Sequence, residues 1–227
     1  MRLIGITGKA GSGKTTFSDI LAQKSGIAVV HIDDILKEIK LKYFRPLMKQ
    51  DKHGEKTKVD SRLKTILYSN KILFGMFMKF RAKLIQKPLE KRIQELSDEK
   101  NRIIIIDDIF LQYQKCYPEL SEIFLMERPF IDRRQSIRER DDLSKEEVVA
   151  YDIAHYKGNY KNLLNNEHII KIQNNKTKEE LTRLAEEVYQ KRFSTMKERY
   201  REDVNEKEQQ QDKNIIQRVN NQKGEVR

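Results

Sequence analysis

The sequence predicts a three-layer α/β fold built on a parallel sheet, and three observations lead there. Short apolar, β-branched runs recur along the chain, with segments of helical apolar spacing between them. The clearest of these runs are continuous rather than alternating, as strands covered on both faces are. At the first strand-to-helix junction stands a glycine-rich octapeptide of a kind that belongs in such a fold.

The elements follow in order. Arg2–Thr7 is apolar and β-branched enough for a buried strand, and Thr16–Ala22 has helical spacing at Phe17, Ile20 and Leu21. Gly26 is the stop of that helix. Ile27–Ile32 reads as a second buried strand ending in Asp33-Asp34, with a helix from Ile35 that either acid could cap. From Ile35 to about Leu96 the chain reads as mostly helical, with a polar loop over Lys49–Lys58. The apolar stretch Ile72–Met78 is assigned to a core or a substrate lobe rather than to a membrane. Ile103–Ile106, Ile123–Met126 and His168–Ile172 are further strands. Helices are expected over Pro129–Arg140, Ser144 to about His155, and Lys178–Tyr189. Ser144…Glu147 and Thr177…Glu180 have the spacing of capping boxes before the last two. Beyond about Gln190 the apolar period fades, which predicts a solvated helix or a disordered tail.

The octapeptide is Gly8-Lys9-Ala10-Gly11-Ser12-Gly13-Lys14-Thr15, followed by Thr16, and it fits G-x-x-x-x-G-K-[ST] between a strand and a helix. Its glycines let successive backbone N–H groups point at phosphate oxygens, and the following helix aims its positive end at the same anion. Lys14 suits the β- and γ-phosphates and the Thr15 hydroxyl suits Mg²⁺. The motif predicts binding of a nucleoside triphosphate.

Composition narrows the rest. The 227 residues hold one ordinary domain plus an appendage, with 37% hydrophobic and 36% charged residues and no tryptophan. No stretch approaches the roughly 18 apolar residues a membrane span needs, and the start of the chain shows no secretory leader. A single cysteine, Cys116, excludes an internal disulfide and a structural zinc site and fits a reducing cytoplasm. The net charge is +11, and between Lys37 and Arg102 basic residues outnumber acidic ones by the whole of that excess. This suits an anionic substrate or a merely solubilising surface. Nucleic acid is disfavoured because no recognition motif accompanies the charge.

Other candidate site residues lie at strand ends, where open α/β sheets bind ligands. Asp33 could take a proton from an attacking hydroxyl or hold water on Mg²⁺. Asp107 and Asp108 close the four-isoleucine strand, where one of them is expected to serve Mg²⁺. Arg133, Arg134, Arg138 and Arg140 share one helical stretch, and Arg134 and Arg138 share a face that could neutralise charge over the phosphates. His31, His53, His155 and His168 show no metal-ligand spacing and read as structural or surface residues.

Four stretches across roughly residues 1–189 resemble the dephospho-coenzyme A kinases. Gly5–Thr16 is similar to the family's opening, and Gly26–Lys37 resembles its Asp-Ala-Asp-x-x-x-Arg segment. Arg140–Glu147 looks like its Arg-Asp-x-hydrophobic-Ser-x-Glu-Glu, and Ile172–Lys176 with Glu179-Glu180-Leu181 like its closing Ile-x-Asn-x-Gly…Glu-x-Leu. The resemblance implies a three-layer P-loop kinase fold over 1–190, with a helical substrate lobe at about 37–100 and a lid at about 130–160, and leaves residues 191–227 as the charged tail already read from composition. It implies ATP and Mg²⁺, Asp33 as base, Lys37 in place of a substrate-binding arginine, and Asn174 near the adenine. On the acceptor side the chain departs from the pattern. His31 stands at the family's first Asp, Lys87-Pro88-Leu89 is the nearest match to a His-Pro pair, and Asp108–Gln112 replaces Pro-Leu-Leu-x-Glu.

The expectation is therefore a cytoplasmic ATP-dependent kinase of a small metabolite, dephospho-coenzyme A first, with no membrane partner. A nucleoside or nucleotide kinase of the same fold, and a P-loop ATPase bound to nucleic acid, are the alternatives. The sequence leaves the oligomeric state and ATP versus GTP open.

Overall fold

The computed structural model describes residues 1–43, 49–50, 56–58, 70–99, 102–141, 149, 163, 167–175 and 177–194. The expected capping box Ser144–Glu147, the helix from Ser144, the far half of the lid and the tail beyond Ser194 lie outside these residues, Val149 and Leu163 apart. Two units divide the chain, Met1–Lys178 and Glu179–Arg227.

The first unit is built on five parallel strands: β1 Arg2–Gly8, β2 Ile27–His31, β5 Ile103–Asp107, β6 Glu122–Glu127 and β7 Ile169–Gln173. They lie in the order β2-β5-β1-β6-β7. The three inner strands are buried along their length because Ile, Leu and Phe occupy both faces. Ile4, Ile6, Ile104, Ile105, Ile106, Phe124 and Leu125 have no exposed surface. Helix α1 Lys14–Ala22 follows β1, and its Phe17 ring meets Phe124 edge to face at 6.3 Å. Helices α2 Ile32–Tyr43 and α3 Lys71–Asp98 supply Ile32, Ile35, Ile39, Ile85 and Leu89 to a core with Ile104, Ile106 and Ile123. Helix α4 Phe130–Asp141 follows β6. In the second unit, α5 Lys178–Tyr189 runs into a π-helical turn at Gln190–Ser194, where Tyr189 and Phe193 meet edge to face.

The sheet and its strands are those the sequence predicts, and three local expectations are corrected. Strand β2 stops at His31, and α2 begins at Ile32 rather than Ile35. The fully buried Ile32 side chain belongs to the core that α2 packs. Asp33 and Asp34 therefore lie inside the first helical turn, where carboxylates favour the helix dipole, and not at a cap. The expected loop over Lys49–Lys58 contains a short antiparallel pair, β3 Lys49–Gln50 with β4 Lys56–Lys58. Of the apolar stretch Ile72–Met78 only Phe74 and Met78 are buried, against Phe110, while Ile72, Leu73, Met76 and Phe77 are exposed. The reason is periodicity: in α3 the buried positions are Phe74, Met78, Arg81, Ile85, Leu89 and Leu96, one face of the helix. Seven consecutive apolar residues circle a helix, so some must face outward. Asn70 starts α3, its Oδ1 accepting from the backbone N–H groups of Ile72 (3.0 Å) and Leu73 (3.1 Å). No helix among the described residues is long and apolar enough to cross a membrane.

Cys116 is partly buried against the main core, and burial pushes its thiol from 9.0 up to about 11. The thiolate is the reactive form but grows more nucleophilic as its pKa rises, so at pH 8 this thiol should react with a disulfide reagent roughly tenfold more slowly than an unfolded one. Stopped-flow labelling of native and urea-unfolded chains tests this, and equal rates would contradict the packing.

Candidate active site

The phosphate loop leaves β1 at Gly8 and enters α1 at Lys14. At two of its glycines a side chain has no room. A Cβ on Gly8 would lie 2.4 Å from the Met126 carbonyl oxygen, and one on Gly11, at φ +72°, 2.7 Å from that of Arg133. Gly13 precedes α1 with no side-chain cap, so capping groups do not compete for the helix's first amides.

Three side chains from the far side of the sheet hold the loop by consecutive carbonyls. Arg133 Nη1 donates to Ala10 O at 3.2 Å, Arg128 Nη1 to Gly11 O at 3.4 Å, and Asn174 Nδ2 to Ser12 O at 2.8 Å. Arg133 and Asn174 are buried. Asn174 is itself fixed by its backbone N–H donating to Glu127 O at 2.7 Å, and Arg133 Nε donates to Arg128 O at 3.2 Å. With these carbonyls engaged by side chains from other elements, the loop's cradle shape is braced by the protein itself. The Asn174 side chain is thus given to the loop backbone.

The two aspartates at the end of β5 have different surroundings. Asp108 is buried and fully engaged. Arg81 grips it with two bonds (3.0 and 2.8 Å), Gln114 Nε2 donates to it at 2.6 Å and the Phe110 N–H at 3.1 Å. Asp107 accepts from the Thr15 hydroxyl at 2.8 Å and lies 3.0 Å from His31 Nδ1, both through Oδ2. Its Oδ1 is buried and has no hydrogen-bond partner among the described residues. A bare buried carboxylate oxygen beside a threonine hydroxyl and a phosphate cradle fits a hard divalent cation shared with phosphate oxygens. Of the two expected metal residues, the structure leaves Asp107 available and occupies Asp108.

The remaining candidates are spread around this centre. Asp33 is exposed on the first turn of α2. A cleft of about 520 Å³ beside β2 is lined by His31, Asp34 and Lys37 on one side and by Pro88, Lys91 and Arg92 of α3 on the other. Lys37 therefore faces a cavity, whereas Lys87 is exposed on α3 and does not line it. On α4, Arg134 stacks over Phe130 at 4.8 Å and Arg138 is exposed one turn further on, each one position round the helix from the buried Arg133 and Ile137. Arg140 lies in α4 as well.

Sequence reasoning missed Arg128 and His31. Arg128 carries no spacing signal, since its loop partner Gly11 is 117 residues away in sequence. His31 could have been found from the sheet register, which sets it directly beside Asp107. The hydrogen bond to Asp107 raises the His31 pKa above its ordinary value, against the opposing effect of burial, with Asp107, Asp19 and Asp34 adding to the rise by their charge.

With cradle, brace and carboxylate in place, residues 4–152 match the family model described as an AAA domain. The chain belongs to that family. A curated relative, the dephospho-CoA kinase of Prochlorococcus marinus (strain NATL2A), is 29% identical over 163 residues, which cover 65% of this chain and 73% of the relative. Among solved structures, TT1252 from Thermus thermophilus superposes with a TM-score of 0.57 at 22% identity, over 85% of this chain and 98% of that one. A dephospho-CoA kinase from Campylobacter jejuni gives a TM-score of 0.43 at 21% identity, over 84% and 96%. The Thermus likeness bears out the three-layer P-loop α/β fold. The family match and the curated relative bear out an ATP-dependent kinase related to the dephospho-CoA kinases.

Proposed function

We propose that this AAA-domain chain transfers the γ-phosphoryl group of ATP to a hydroxyl of a small nucleotide-like acceptor, with the 3′-hydroxyl of dephospho-CoA the first candidate. The observation that carries the reading is the Thr15–Asp107 pair beside a braced phosphate loop. The motif resemblance and the 29% identical relative support the choice of acceptor.

In this mechanism the loop amides and Lys14 bind the β- and γ-phosphates, while Thr15 and Asp107 hold Mg²⁺. A divalent ion held by these two residues would supply charge neutralisation to the phosphates. Asp33, at the carboxyl edge of the sheet, orients the acceptor hydroxyl and receives its proton as the new P–O bond forms and the bond to the ADP oxygen breaks. Lys37, facing the cleft beside Asp34, pairs with an anionic group of the acceptor, and Lys91 and Arg92 of α3 line the same cleft. Arg134 and Arg138, one position round α4 from the residues that meet the phosphate loop, supply positive charge to the moving phosphoryl group. The transition state is loose, so this positioning and electrostatics carry most of the rate.

An ADP-release assay over a panel of acceptors tests the proposal. ADP release should require dephospho-CoA and match phosphorylated product one for one. Release dependent instead on a nucleoside or nucleoside monophosphate would replace the acceptor and keep the kinase. Acceptor-independent release stimulated by nucleic acid would replace the kinase with an ATPase.

A further inference from the structure

We infer that His31 is a positioning residue that locks the Asp107 carboxylate, so that Oδ1 stays open for the nucleotide's divalent cation. The inference rests on the phosphoryl-transfer reading above and concerns a residue that this reading does not use.

Strands β2 and β5 run parallel with His31 and Asp107 side by side in register, so the two side chains leave the sheet edge together. Both groups that contact Asp107 do so at one oxygen. Thr15 Oγ1 donates to Oδ2 at 2.8 Å, and His31 Nδ1 lies 3.0 Å from the same atom. Turning the carboxylate would break both contacts at once, and Oδ1 has none among the described residues to lose. The imidazole is held at its other end too, with Nε2 3.0 Å from Asp19 Oδ1. Asp19 and Thr15 are four apart on α1 and share a face. Four side chains from α1, β2 and β5 thus form a chain of contacts, Thr15–Asp107–His31–Asp19, whose two ends sit on the same helix. A ring nitrogen can donate to Asp107. A carboxylate at position 31, as in the family this sequence resembles, could not, and would set like charges side by side. Partners that orient a metal-holding carboxylate this way typically influence metal affinity by 10- to 100-fold.

The test uses the full chain with a non-hydrolysable ATP analogue and Mn²⁺ as a paramagnetic probe, measuring bound Mn²⁺ by electron paramagnetic resonance. His31→Ala should weaken Mn²⁺ binding about tenfold, with analogue affinity in EDTA within about twofold of the parent. His31→Asn keeps one N–H donor for Asp107 without a ring or a charge, and it should restore most of the loss. Unchanged Mn²⁺ affinity in His31→Ala overturns the inference. So does an equal loss of metal-free analogue binding, which would make His31 merely structural, and so does failure of His31→Asn to restore binding. If the parent chain binds neither analogue nor Mn²⁺, the phosphoryl-transfer reading itself fails, a result distinct from all of these.

Discussion

Lys14→Ala should lower turnover by about a thousandfold while leaving the fold intact. The side chain starts α1, is only partly buried, and belongs to a loop whose shape is set by other groups. Arg128, Arg133 and Asn174 hold the carbonyls of Gly11, Ala10 and Ser12, and none of these bonds involves Lys14. Its removal therefore takes away one preorganised positive charge where negative charge shifts during transfer, and little else. Deleting a single such donor typically costs 10²–10³ in rate, and a full charge on the migrating group belongs at the upper end. Thermal unfolding should move by no more than the roughly 0.5 kcal/mol of an ordinary surface change. Single-turnover transfer measured at saturating ATP separates the two effects. Retention of more than a tenth of the parent rate, in a chain that still melts like the parent, would remove the loop from the mechanism.

The loop was legible because its chemistry is local: fixed glycines, a lysine and a threonine between a strand and a helix. The inner strands were legible for a related reason. A run such as Ile103–Ile106 is apolar on both faces only where both faces are covered. What the linear chain hides is which distant side chains serve the loop. Asn174 and Ser12 are 162 residues apart and Arg133 and Ala10 are 123 apart, and no spacing rule links them. The choice between Asp107 and Asp108 was hidden in the same way. It turns on Arg81 and Gln114, two unremarkable polar residues until folding brings both against Asp108. The outward-facing residues of α3 were readable in principle, since Phe74 and Met78 are already four apart. The continuous apolar run masked that period.

Arg81→Ala is the substitution expected to harm stability most, although it touches no proposed substrate. The Arg81 side chain is 5% exposed and that of Asp108 1%, and two bonds at 3.0 and 2.8 Å join them. Truncating the arginine leaves a buried carboxylate with only Gln114 and the Phe110 N–H for partners. It also removes the guanidinium from above the Phe110 ring, at 5.4 Å, and so loosens the contact of Phe74 and Met78 with that ring. Stranding one member of a buried ion pair costs about 3–5 kcal/mol. For a chain of this size that lowers the melting temperature by roughly 10 °C or more. The pair itself need not stabilise the fold strongly, because both charges gave up water to form it. Hence Arg81→Met combined with Asp108→Asn should recover a large part of the loss, since the amide oxygen still accepts from the Phe110 N–H and no charge is stranded. Calorimetry on the two chains decides the matter. A double variant no more stable than Arg81→Ala would show that the guanidinium contributes by packing against Phe110 and not by answering the buried acid.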